Sequence, residues 1–216
     1  MPLIKMIEIM CTGLSKTCAI FFLTLLFSLP LGIIIALLRM SKNFIISNII
    51  KFFVSILRGT PLMLQLLAIT YGPYYLVGIS VSRNKLIPVI IAFSINYAAY
   101  FSEIYRGGIE SIPKGQYEAS EILGYNRSQQ FLKIILPQVI RRILPSITNE
   151  IVTLVKDTSI AFTVSYVEIF TLAKQIANSQ TSFMPFIVAG VFYYIFNALV
   201  SFSMSRAEKA MNYYKI

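Results

Sequence analysis

Long uncharged runs alternate with short basic segments along this chain, and the run lengths are those of a bilayer. Between positions 19 and 38 no residue is charged, and at about 1.5 Å per residue such a stretch crosses a hydrocarbon core of roughly 30 Å. With the turn before it, this run gives a first expected span over 14–38. Four more are expected at 58–82, 86–109, 143–166 and 183–204. The first run exceeds the apolar core of about 7 to 15 residues typical of a signal peptide, and no small-residue cleavage site follows it. It is therefore expected to be a retained anchor.

Between 40 and 57 the period changes. Phe44, Ile45, Ile49, Phe52, Phe53 and Ile56 recur at helical spacing between Lys42, Lys51 and Arg58, which predicts an amphipathic helix along the inner membrane interface. Arg58-Gly59-Thr60-Pro61 then breaks it, with Thr60 expected as the N-cap of the next helix and Pro61 at its first position. The only long connection, 110–142, is polar and carries local stop and start signals. Pro113 suits the first turn of a short helix bearing Glu118 and Glu121, and Gly124 suits the left-handed residue that ends it. Asn126 with Gln129 reads as a capping box for a second helix up to Leu136, which Pro137 is expected to stop or kink. A helix, a corner and a helix make a compact knob.

Composition narrows the class. With 56% hydrophobic residues and a mean hydropathy of +0.72 over 216 residues, the chain is too apolar for a soluble domain of this length. The net charge of +10 is spread between the apolar runs without a nucleic-acid recognition module, so it is read as topology. If the N-terminus is outside, the inner flanks hold Arg39, Lys42, Lys51, Arg58, Arg106, Lys114, Arg127, Lys133, Arg141, Arg142, Arg206, Lys209 and Lys215. Only Lys5, Lys16, Arg83, Lys85 and Lys174 remain outside, with Lys156 inside a span. That asymmetry places the knob and the C-terminus in the cytoplasm. Cys11 and Cys18 are about 10 Å apart in helical rise, too far for one disulfide. The chain has no His, so a zinc site is not expected.

The knob carries a pattern of fixed spacers. Glu118-Ala119-Ser120, three residues, Gly124, nine residues, then Ile134-Ile135-Leu136-Pro137 resembles the E-A-A…G…I-x-L-P signature of ABC importer permeases. Ser120 stands where a second Ala is typical. Arg58-Gly59-Thr60-Pro61 with Leu62 and Gln65, the segment 96–108 and the segment 149–159 are similar to the matching segments of polar amino acid permeases. The resemblance implies an all-α transmembrane fold of the type I importer class: one domain over 1–216, five spans and a cytoplasmic coupling helix. It implies that Tyr117, Glu118, Ala119, Ser120 and Gly124 dock on an ABC ATPase subunit, present in two copies. A second permease copy or homologue, an extracytoplasmic solute-binding protein, an amino acid substrate, surrounding membrane lipid and a bacterial cell membrane complete the implied setting. No G-x-x-x-x-G-K-[ST] run occurs, so ATP is expected to be bound by the partner subunit, and this chain to be no enzyme, to hold no cofactor and to bind no nucleic acid.

Ionisable residues inside spans mark a pathway or a binding site by default. Asn96, Tyr100 and Glu103 follow i, i+4, i+7 spacing, and Ser146, Asn149, Glu150, Thr153, Lys156 and Asp157 fall within about a third of one helix circumference. A free amino acid needs an anion for its ammonium, a cation for its carboxylate and neutral donors between them. Glu103 and Glu150 are candidates for the first, Lys156 for the second, with Asn96, Tyr100, Thr153, Asp157 and Ser159 completing the site. The rival reading is an ion-gradient-driven secondary transporter using the same acids, but such folds are built from two related halves, and no internal repeat is visible.

Overall fold

The computed structural model describes residues 2–79 and 84–211; Ser82 at the end of the second expected span, Arg83 and Lys215 lie outside the described residues. Among the described residues the chain is helical throughout, without a strand. Helix α1 spans Leu3–Arg39, about 55 Å at about 1.5 Å per residue. It starts well before the expected 14 because its first turns have a tertiary partner. Met6 and Met10 are buried against Ile169, Ala173, Ile176, Val188 and Ala189, while Lys5, Glu8 and Lys16 point outward.

Helix α2, Phe44–Gly59, is capped by Asn43, whose Oδ1 accepts from the amides of Ile45 and Ile46. Its Val54 and Leu57 pack on Ile35 of α1 and on Ala98 and Ala99 farther along. Phe44, Ile45, Ile49 and Phe52 stay exposed, as suits a lipid-facing stripe. The chain then bends by 106° into α3, Leu62–Val77. Only together do α2 and α3 have the length and composition of a span, as a bent pair. Thr60 does not cap α3 as expected. Its hydroxyl donates back to the Ile56 carbonyl at 2.8 Å, closing α2, and α3 begins at Leu62 with Pro61 in the N-cap position.

Helix α4, Leu86–Glu110, is the most enclosed element and packs along α1. Phe21 of α1 meets Phe93, Tyr97 and Phe101 of α4, with Leu154 and Val155 closing the same core. The knob follows: α5, Lys114–Ile122, then α6, Arg127–Gln129. Pro137 does not end the second knob helix. A π turn over Gln130–Ile135 leads into α7, Leu136–Asp157, and on into a 3-10 turn over Thr158–Val164. Proline ends helices by clashing with the carbonyl one turn back and by lacking an N–H; the widened π turn relieves both demands. A substituent on Gly108 of α4 would collide with Ile143 of α7, so the two helices meet there backbone to side chain.

Helix α8, Ile169–Gln180, was not legible as a separate element, and α9, Met184–Met211, closes the bundle. By length and composition α1, α4 and α9 are each able to cross a membrane. Counting each of the bent pairs, α2 with α3 and 127–164 with α8, as one span gives up to five. Helix α7 is not apolar enough by itself because it carries Arg141, Arg142, Glu150, Lys156 and Asp157.

Candidate functional site: a polar face at the helix break and a capped knob

The break between α2 and α3 frees carbonyls at the end of α2, and buried carbonyls require donors. Gln65 and Asn96 supply them. Gln65 Nε2 donates to the Leu57 carbonyl at 2.8 Å and to Thr60 Oγ1 at 2.9 Å. Asn96 Nδ2 donates to the Leu57 carbonyl at 3.2 Å and to Gln65 Oε1 at 3.1 Å. Asn96 is buried, and both its protons are engaged, so it shapes the corner.

The corner presents Arg58. Its guanidinium lies 5.2 Å from the centre of the Tyr100 ring, a cation–π contact, and the Tyr100 hydroxyl reaches the Arg58 carbonyl at 3.5 Å. Glu103, one turn beyond, accepts from Arg39 Nε at 3.0 Å and Arg106 Nη2 at 2.7 Å, with Arg58 Nη1 at 4.0 Å. Three cations from three segments surround this one carboxylate.

On α7 the situation is reversed. Glu150 is half-buried, within electrostatic reach of Arg58 and Asp157. Asp157 accepts the Tyr97 hydroxyl at 2.7 Å, tying α7 to α4. Ser159 donates to the Lys156 carbonyl at 2.8 Å, and Thr153 is half-buried on the same side. Lys156 is exposed and joins no ion pair among the described residues. The structure thus gathers Arg58, Tyr100 and Glu103 around the break and leaves Glu150 and Lys156 outside any ion pair among the described residues. Between this region and the knob runs a crevice of about 410 Å³ lined by Glu103, Ser111, Arg142 and Ser146 together with Ile104, Ile143 and two glycines. Arg58 and Tyr97 were missed as site residues. A cation directly before a G-T-P break was a usable signal, but nothing in the sequence paired Tyr97 with an acid sixty positions away.

The knob is rigid for local reasons. Gly124 has φ +79°, Asn126 and Gln129 form the reciprocal capping box, and the Tyr125 amide closes on the Ser120 carbonyl at 3.1 Å. Ser120 is turned inward, 2% exposed, where Gln130 Nε2 donates to its Oγ at 2.6 Å and to the Tyr117 carbonyl at 2.8 Å. It braces the knob from within, while Glu118 and Ala119 of the same triplet, with Gly124 beyond, face out. Tyr117 is half-buried beside Ile112, Ile135, Val139 and Ile143. At the tip Ile122 and Leu123 stand 87% and 74% exposed, an uncovered aliphatic pair at the corner. Arg142 anchors the base by donating to the Ser111 carbonyl.

Residues 28–213 match the family described as binding-protein-dependent transport system inner membrane component. Among individual proteins, the chain is 38% identical over 208 residues to the nopaline transport system permease protein NocM of Agrobacterium fabrum, covering 93% of this chain and 86% of that one. It is 32% identical to the arginine transport system permease protein ArtQ of Bacillus subtilis, covering 96% and 94%. A solved amino acid ABC transporter, crystallised with histidines, superposes with a TM-score of 0.88 at 29% identity over 96% of both chains. The methionine ABC transporter MetNI shares the fold, with a TM-score of 0.77 at 20% identity over 98% of this chain and 100% of that one.

Proposed function

The chain belongs to the family of binding-protein-dependent transport system inner membrane components, and from that membership we propose that it is the membrane-spanning subunit of an ATP-driven amino acid importer. The relatives named for nopaline, arginine and cystine transport support the substrate class. So does the chemistry of the polar face, and the observation that carries the reading is Lys156: an exposed cation with no ion-pair partner among the described residues, next to Asp157 and about 1.7 turns from Glu150. A charge at membrane depth without a partner is costly. A zwitterion supplies the missing charges, its carboxylate to Lys156 and its ammonium to Glu150 and Asp157. Glu103, expected to share in ammonium binding, already faces three arginines, so we assign it to holding α1, α2 and α4 together near the site. Asn96 and Ser159, whose protons go to neighbouring groups, shape the pocket wall, while Tyr100 orients Arg58 and Thr153 faces the substrate.

The exposed polar side of α7 calls for cover by a second permease copy or homologue. The knob, inside the cell with the N-terminus outside, docks on one of two ATPase subunits, and a solute-binding protein delivers substrate from outside. ATP stays with the partner; its binding biases which face is open, as any coupling between two sites does.

The test is reconstitution of the purified complex and a panel of amino acids. Uptake that needs ATP and the ATPase subunit is the expected result. Uptake by the chain alone, driven by an ion gradient, would overturn the proposal in favour of a secondary transporter. A second expectation concerns the corner. Nothing crowds a side chain at Gly124, but its φ of +79° strains any β-branched residue by about 1–2 kcal/mol. Gly124→Val is expected to assemble normally yet hydrolyse ATP with less than about a tenth of the transport per ATP, a drop equivalent to about 1.4 kcal/mol of coupling. Normal stoichiometry in that variant counts against a rigid coupling corner.

A further inference from the structure

Helix α2 has three sides. At about 100° per residue, Val54 and Leu57 form the buried one, and Ile45, Ile49, Phe52, Phe53 and Ile56 form an exposed apolar one. Between them runs a polar strip of Ser47, Lys51, Ser55 and Arg58. This division suits a helix lying along a membrane margin, with its apolar side among acyl chains and its polar strip among headgroups.

The packing sets α2 at such a margin. Ser47 Oγ donates to the carbonyl of Arg39, the last residue of α1, at 2.6 Å, and Leu57 shares a cluster with Ile35 of α1. From Ser47 to Leu57 α2 advances about 15 Å, whereas from Arg39 back to Ile35 α1 climbs only about 6 Å. Helix α2 is therefore steeply inclined to the long span and stays close to where that span ends.

The charge on this arm is one-sided. No acidic residue occurs between Glu8 and Glu103, so α2 and the turn before it carry Lys42, Lys51 and Arg58 as their only charges. Glu103 is taken by Arg39 and Arg106, with Arg58 at 4.0 Å, and Glu110 is taken by Arg106. Lys42 and Lys51 are exposed and join no ion pair among the described residues. Packing α2 against α2 of a second copy would set these cations against one another. A neutral lipid would cover the apolar side and leave both lysines unmatched. An acidic phospholipid answers both needs, since cations beside an apolar helix face attract anionic headgroups.

We propose that α2 and the turn before it form a docking surface for acidic phospholipid, with acyl chains over Ile45, Ile49 and Phe52 and phosphate groups at Lys42 and Lys51. Binding of this kind requires only that α1 crosses the bilayer, whatever solute the chain carries.

The chain has no Trp, so Phe52→Trp gives the full-length protein a single indole on this face. In vesicles at neutral pH, its emission is measured against brominated phosphatidylglycerol and brominated phosphatidylcholine at equal mole fraction. Both lipids are expected to quench it, with phosphatidylglycerol bound about fivefold or more tightly, the gain of about one lysine at an anionic surface. The preference is expected to vanish when Lys42→Gln and Lys51→Gln are added, and to shrink in about 1 M salt, where the screening length falls to about 3 Å. Phe22→Trp, at an exposed position midway along α1, is expected to show no preference. Absence of quenching by either lipid would mean that something other than lipid covers α2, and equal affinity for the two lipids would mean that the face does not select charge. Either result overturns the assignment, as does a preference that survives loss of both lysines or that is matched at Phe22→Trp.

Discussion

Replacing Lys156 with alanine is expected to cut uptake on the order of 100-fold, a transition-state loss of about 3 kcal/mol, while the complex with the ATPase purifies intact. A charge-assisted hydrogen bond contributes about 1.5–3 kcal/mol, and its removal also leaves a substrate carboxylate unpaired in a low-dielectric site. Because Lys156 is exposed and makes no ion pair among the described residues, its loss takes little from the fold, so uptake and assembly are expected to separate. Arg58→Ala makes the contrast informative: that residue stacks on Tyr100 and faces Glu103, so its loss also disturbs the break. Uptake by Lys156→Ala within a few-fold of wild type would show that the lysine does not hold substrate.

The second large effect is expected at the tip of the knob. Ile122 and Leu123 are the most exposed aliphatic pair of that region, and full burial of each against a partner contributes about 1.5–3 kcal/mol. Aspartate at both positions removes that gain and places charge in the groove. Association with the ATPase subunit is expected to weaken by about 1,000-fold or more, equivalent to about 4 kcal/mol, and the two subunits should separate on a sizing column. The variant permease should stay folded, since neither side chain is part of a buried cluster. Co-elution at wild-type proportions sinks the assignment of this tip as the docking point.

The knob was the most legible part of the chain because its determinants are local. Gly124 needs only its own φ, and Asn126 and Gln129 satisfy each other three residues apart. The polar side of α7 was legible for the same reason, since periodicity places side chains on one face without reference to the rest of the fold. Contacts between distant segments were not. Arg39 reaches Glu103 across 64 positions and Asn96 reaches Leu57 across 39, and no local signal distinguishes an engaged polar group from a free one. Ser120 is a case in point: the spacing marked it as part of the docking pattern, yet Gln130 draws it inward. Of the two outcomes expected at Pro137, a stop is ruled out, because a π turn, which leaves no compositional trace, precedes it and the helix runs on. Helix α8 escaped notice because it is short and half polar, and its start depends on a buried glutamate that reads, in sequence, like an ordinary surface acid.

From Arg127 to Val164 the backbone never leaves a helical state, which makes the knob and the 3-10 turn after Asp157 two ends of one shaft about 55 Å long. Thrust applied at the cytoplasmic end therefore arrives at the far end as displacement of the whole rod. The first residue to leave the right-handed helical region is Ser165, with φ +61°, immediately beyond that far end. If the knob docks on the ATPase and the solute binds beside Asp157, as proposed above, a rod turning about its distal tip swings widest at the ATPase and least at the solute, so a large stroke below is geared down to a small opening above.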